Sequence, residues 1–274
     1  MGSQRYSLSP LMVFTSLYSH WNLIRLLTGR EIASRYRGSL LGVLWSLAHP
    51  IMMLVVYAFV FRVVFKASWS HGGEGNSEFV MTLFTGLIVC AVFSECVNRA
   101  PTLILNHVSY VKKIVFPLEI LPWVSLGEAF LNMGVSITVL LVFHISSHLP
   151  LHWTATMLPL LVIPLALYAL GVSWFLASVG VFVRDVGHAT TIVTNLMLFL
   201  APVFYPLSSL PDAYRPFMYL NPLTFVVEQS RNVLIMGRMP SWHWVVIYFL
   251  CSAVVAWLGL AWFQRTRKGF ADVL

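Results

Sequence analysis

The sequence predicts an all-α integral membrane protein: six transmembrane helices, an N-terminal amphipathic interface helix and a re-entrant helical hairpin before the last span. Three observations predict it. Six apolar stretches, each near twenty residues, run through the chain, and about 20 residues at about 1.5 Å each span a hydrocarbon core about 30 Å thick. Hydrophobic residues make up 58% of the 274 and charged residues 10%, where a soluble domain carries about 25% charged. The mean hydropathy is +0.80. The basic residues fall on alternate connections between the stretches.

Residues 11–36 are too polar to cross. Around 21–27, Trp21, Leu23, Ile24, Leu26 and Leu27 cover a broad helical arc with Arg25 off it. Such a segment lies in the cytoplasmic interface, with Arg30, Arg35 and Arg37 at headgroup level. The six spans are 40–65, 79–97, 118–145, 157–183, 189–205 and 244–263. His49–Pro50 falls inside the first, where proline kinks or loosens the helix. The Gly-rich, acidic run 67–77 makes an external turn. The connection 101–117 is basic and bounded by prolines, with 102–115 as a short cytoplasmic helix. The third connection, 144–153, carries no Lys or Arg, and the fourth is a tight turn at Arg184–Asp185.

The last connection, 206–240, is 35 residues long and holds five prolines. A loop of that length has structure of its own. It reads as two short helices dipping back into the outer leaflet and broken near Asn221–Pro222. Non-helical backbone at that depth needs protein or water around it, so the element borders a cavity. No internal repeat is detectable. In this scheme 1–39 is a cytoplasmic N-terminus with the interface helix, 40–263 the six-span domain, and 264–274 a cytoplasmic tail.

Net charge is +7. With both termini cytoplasmic, 12 of the 17 Lys and Arg sit inside and 5 outside, the asymmetry of the positive-inside rule. The basicity therefore reports orientation and anionic membrane lipid, not nucleic acid. Cys90, Cys96 and Cys251 all lie within spans, odd in number and without ligand spacing, so neither a disulfide framework nor a metal site is expected. No cleavable leader is expected, and the first span serves as its own insertion signal. No Gly-x-x-x-x-Gly-Lys-Ser/Thr loop occurs in the sequence, which excludes ATP hydrolysis by that chemistry. No Ser/His/Asp constellation or paired-histidine metal motif stands out.

Several fragments, in order, carry a resemblance. Arg30–Glu31 leads into Arg35-Tyr36-Arg37-Gly38-Ser39-Leu40-Leu41-Gly42-Val43-Leu44-Trp45 and then His49-Pro50. Further on come Val183-Arg184-Asp185, Pro202-Val203-Phe204-Tyr205-Pro206, and Asn221-Pro222-Leu223 with Glu228 and Arg231. With six spans, this set resembles the polysaccharide-exporting ABC-2 permeases over about residues 21–263. That family exports lipid-linked O-antigen, capsule or teichoic acid. The resemblance implies a homodimer in the bacterial inner membrane with two separate ATPase subunits. ATP and Mg belong to those subunits, leaving this chain without a cofactor and without enzymatic activity. A polyprenyl pyrophosphate-linked glycan then passes between the protomers. The resemblance puts Leu41 and Gly42 at the cytoplasmic gate and the first and fifth spans along the channel. The loop between spans two and three, with Asn106, His107, Tyr110, Lys112 and Lys113, docks on the ATPase.

Arg30, Arg35 and Arg37 are candidates for the substrate pyrophosphate, because guanidinium groups hold phosphate oxygens in a fork. The alternative is ordinary anchoring to anionic lipid. Tyr57 and Phe61 on span one and Phe199, Phe204 and Tyr205 on span five are candidate wall residues for sugar faces, against packing or the interfacial aromatic belt. Glu95 and Glu119 sit near enough to the interface to be solvated or to pair with Arg99 or Lys112. Glu228 and Arg231, at i and i+3, suit a salt bridge. Gly38, Gly42 and Ser46, and again Ala169, Ser173 and Ala177, form small-residue ridges for helix contact.

Glu128 is the deepest carboxylate and has no obvious local partner. It supports a rival reading, an ion-coupled secondary transporter or lipid flippase with Glu128 as the coupling group. A third reading, an intramembrane enzyme acting on polyprenyl lipid, lacks a catalytic cluster.

Overall fold

Backbone groups in hydrocarbon must bond within the chain, and helices satisfy that need segment by segment. The computed structural model describes residues 12–37, 42, 44–60, 75–111, 116–147 and 150–274, with no strand among them. Among the described residues, four helices are long and apolar enough to cross a membrane: α4 (Gly75–Arg99), α6 (Leu121–Ser146), α7 (Leu158–Phe182) and α11 (Trp242–Thr266). The fifth expected span is shorter: α8 (Val186–Leu200) has 15 residues, about 22 Å of helix. α3 (Leu44–Phe59) lies in the described part of the first expected span. Pro202 follows two residues after α8, so Phe204 and Tyr205 lie beyond the helix and not on a span running to 205. Residues 40, 41, 43 and 61–65 of the first expected span, and 67–74 of the expected external turn, lie outside the described residues. Gly75, Asn76 and Ser77, read as turn, begin α4.

Two helices precede the bundle, α1 (Met12–Ser19) and α2 (Trp21–Tyr36). Val13 and Ser16 of α1 are buried, and Trp123 Nε1 donates to Ser16 Oγ at 3.3 Å. α2 lies against α6 with Ile24, Leu27 and Thr28 buried, while Trp21 and Leu26 stay exposed. Its apolar residues thus serve two sides, and the helix is less amphipathic than the arc suggests.

The connection after α4 is not the single short helix expected over 102–115. It is two one-turn 3-10 segments, Ala100–Thr102 and Leu105–His107, followed by α5 (Val108–Val111). Residues 112–115 lie outside the described residues. Between α8 and α11 the chain forms a 3-10 turn at Leu207–Ser209, then α9 (Arg215–Met218) and α10 (Pro222–Leu234). Asn221 Oδ1 caps α10 by accepting from Leu223 N at 3.0 Å, with Pro222 at the first helical position, where a missing N–H costs nothing. α10 packs on α4 and α7. The expected tail is ordered as well. A 3-10 turn leads into α12 (Phe270–Val273), and Phe270 is fully buried against Phe182 and Phe263.

Among the described residues, α7 and α11 make the most extensive helix contact. Gly171 and Gly259 face each other there, and a Cβ on Gly259 would overlap the Gly171 carbonyl oxygen. Ala169, Ser173 and Ala177, on the same helix, are fully buried. Gly259→Val should therefore destabilise the bundle by about 1–3 kcal/mol, the usual cost of overpacking. Gly134→Ala, with open space at its Cβ, should not. Thermal unfolding of the detergent-purified variants checks this, and equal melting temperatures would show that the α7–α11 contact is not tight.

Candidate functional site

The end of the bundle that carries α2 gathers charge from four parts of the chain. Glu128 of α6 is almost without solvent contact, 2% exposed. Its Oε2 accepts from Arg35 of α2 at 2.6 Å and from Arg99 at the end of α4 at 2.5 Å. Arg99 also lies 3.8 Å from Glu31 of α2. Glu31 in turn meets His107 Nε2 at 3.2 Å, while His107 Nδ1 is 2.8 Å from the Leu103 carbonyl. Both ring nitrogens face acceptors, and whichever carries a hydrogen donates. The helix before the first span, the loop after α4 and the α4–α6 pair thus share one ion-pair network.

This network relocates several expectations. Glu128 does have partners, supplied by tertiary structure. Arg35 is one of them and is committed to a carboxylate, whereas Arg30 and Arg37 are exposed. Glu119 pairs with Arg267 at 2.6 Å, while Arg99 is on Glu128 and Glu31. Glu95 accepts from Asn132 at 2.8 Å. In the loop, Asn106 is exposed, and Tyr110 stacks on both His107 and Phe116, with ring centroids 5.3 and 4.3 Å apart. Lys112, Lys113, Leu41, Phe61 and Gly38 lie outside the described residues. Gly42 has φ +50°, a left-handed conformation that favours glycine, and its carbonyl accepts from Trp45 N at the start of α3.

Three of the proposed wall aromatics come together. Tyr57 and Phe204 have ring centroids 6.5 Å apart, and Phe204 and Phe199 5.6 Å. Tyr205 turns its hydroxyl to the carbonyls of Phe199 and Leu200, closing the end of α8. Tyr57 borders a cavity of about 400 Å³ between α3, α4, α6 and α8, with Arg35, His49, Glu95, Asn132, Ser136 and Asn195 along its walls.

Glu228 and Arg231 do not take the local arrangement expected of them. Glu228 accepts from Tyr219 Oη at 3.0 Å. Arg231, buried, donates to the carbonyls of Thr82, Pro202 and Val203 at 3.0, 2.5 and 2.8 Å. Sequence reasoning missed that role, and also missed Asn132 and the Thr194–Asn98 hydrogen bond of 2.8 Å between α8 and α4. The signal available was a polar residue inside an apolar run, which demands a partner without naming it.

Glu128→Gln should destabilise the protein by about 3 kcal/mol, the low end for breaking a buried pair. The low end applies because Arg35 and Arg99 keep 37% and 34% of their side chains exposed. Arg35→Gln should cost less, since Arg99 remains. Melting temperatures of the purified variants check the order, and an unchanged value for Glu128→Gln would remove the carboxylate from any structural role.

Residues 22–235 match the ABC-2 type transporter family. Among curated relatives, the chain is 27% identical over 258 residues to the O-antigen export system permease protein RfbA of Myxococcus xanthus, covering 93% of this chain and 96% of that protein. It is 24% identical over 258 residues to the protein of the same name from Klebsiella pneumoniae, covering 93% and 95%. The polysialic acid transport protein KpsM of Escherichia coli is 26% identical over 247 residues, 87% and 91% of the two chains. A family match over most of its length, on a helical bundle of this kind, makes the chain a member of the ABC-2 type transporter family.

Proposed function

We propose that this chain is the membrane permease of an ABC exporter that moves a lipid-linked polysaccharide outward across the bacterial inner membrane. It works as a homodimer with two separate ATPase subunits, with both termini on the cytoplasmic side. The relatives named for O-antigen export and polysialic acid transport support the polysaccharide class. The observation that carries the mechanism is the Glu31–Arg35–Arg99–His107–Glu128 network. It joins the loop proposed to dock on the ATPase to the helix that leads into the gate at Leu41 and Gly42. A push on the loop reaches α2 through His107 and Glu31, and reaches α4 and α6 through Arg99 and Glu128.

Arg30 and Arg37, exposed on and just beyond α2, are the proposed ligands of the substrate pyrophosphate. Arg35 serves the network instead. The same geometry weakens the ion-coupled reading. Two guanidiniums on one carboxylate oxygen commit Glu128 to ion pairs within the protein, where a coupling group has to be free to load and release its ion.

The first test is a mild-detergent pull-down from native membranes. A stoichiometric partner bearing a nucleotide-binding loop is expected, and its reproducible absence with the chain intact and dimeric overturns the reading. In the reconstituted complex, Glu31→Ala should leave ATPase binding intact and raise the ATP hydrolysed per glycan exported several-fold. An unchanged ratio would show that the network transmits nothing.

A further inference from the structure

α4 and α6 run antiparallel, and two polar pairs form successive rungs between them. Arg99 meets Glu128. One turn away from the end of α4, Glu95 Oε2 accepts from Asn132 Nδ2 at 2.8 Å. The second rung opens into the cavity of about 400 Å³, whose other walls bring Ser136 of α6, His49 of α3 and Asn195 of α8. The volume falls within the about 300–1,000 Å³ typical of small-molecule sites. Polar groups on four helices of a membrane bundle are costly unless water or a polar ligand reaches them.

The chemistry narrows the ligand. A carboxylate accepts only, while a carboxamide both donates and accepts, so the Glu95–Asn132 pair complements adjacent hydroxyls, each of which does both. Tyr57, at the wall, offers a ring face for sugar C–H groups. Among the described residues Arg35 is the one Lys or Arg lining the cavity, and its guanidinium is on Glu128. Glu95 is the acidic group on the cavity wall, so among the described residues an acidic sugar would meet a carboxylate there and no uncommitted guanidinium.

We infer that this cavity is a subsite for an uncharged, hydroxyl-rich sugar unit of the passing glycan, with Glu95 and Asn132 binding its hydroxyls. It rests on the exporter reading and adds a specificity to it. The test places a photo-crosslinking amino acid at position 136, and separately at 195, in cells that make the partner ATPase and the glycan. A third probe at exposed Leu250 of α11 is the control. Irradiation is expected to give glycan adducts at 136 and 195 and none at 250, with the released glycan uncharged on anion exchange. Glu95→Gln and Asn132→Ala are expected to slow export about tenfold, as for loss of a charge-assisted hydrogen bond, with protein level and ATPase assembly unchanged.

If the wild-type chain exports glycan but the probes at 136 and 195 capture only lipid, a second copy of the chain or nothing, the subsite is refuted and the exporter reading stands. A charged glycan in the adduct refutes the specificity. A wild-type chain that exports no glycan with its ATPase present refutes the exporter reading itself.

Discussion

Glu128, with 2% of its side chain exposed, has to be matched by positive charge, and the basic end of the molecule is arranged around that need. An unpaired carboxylate there is costly by several kcal/mol. One guanidinium comes from the last residue of α4, which fixes how far α4 runs before the chain turns. The other comes from α2, which must lie across α6 for Arg35 to reach. Ile24, Leu27 and Thr28 are buried as a consequence. Glu31, one turn before Arg35 on the same helix, then falls beside Arg99 and His107. A single buried charge thereby sets the position of α2 relative to the loop after α4.

The Arg231 guanidinium solves a backbone problem. α8 stops at Leu200, and the Pro202 and Val203 carbonyls fall outside any helix. Buried carbonyls without partners are unfavourable. Arg231 reaches both and a carbonyl of α4 besides, using the fixed fork of donors that a lysine lacks. Asn221 works from the same side, since its Nδ2 donates to the Met197 carbonyl at 2.7 Å while its Oδ1 caps α10. The helices after α8 are what allow α8 to end early.

The apolar runs were legible because span length and hydropathy are properties of a segment alone. So was the start of α10, where Asn and Pro announce a cap and a first turn locally. The end of α8 was obscured because apolar residues continue through Val203 to Tyr205 after the helix has stopped. The Glu228–Arg231 expectation followed a local i, i+3 rule that buried carbonyls from two other elements overrode. Glu128 looked orphaned for the same reason: its partners lie 93 and 29 residues away, and no spacing encodes that. Tyr57, Phe199 and Phe204 were named one by one as candidates and not as a cluster, and the Glu95–Asn132 pair was not named at all.

α3 and α8 both border the cavity, and both are thinly covered. Only Pro50 and Leu54 of α3, and Thr190 and Thr194 of α8, are buried. A helix of about 22 Å, as α8 is, leaves part of an about 30 Å core to be made up by tilt, by thinning of the bilayer or by neighbouring protein. Long helices such as α4 and α7 need none of this, and they form the buried centre. The contrast fits a division of labour in the proposed dimer. In that proposal the centre would hold its shape, and α3 and α8 would meet the second copy and the glycan path. His49 and Asn195 stand on those two helices, where a wetted path tolerates polar side chains that lipid would not.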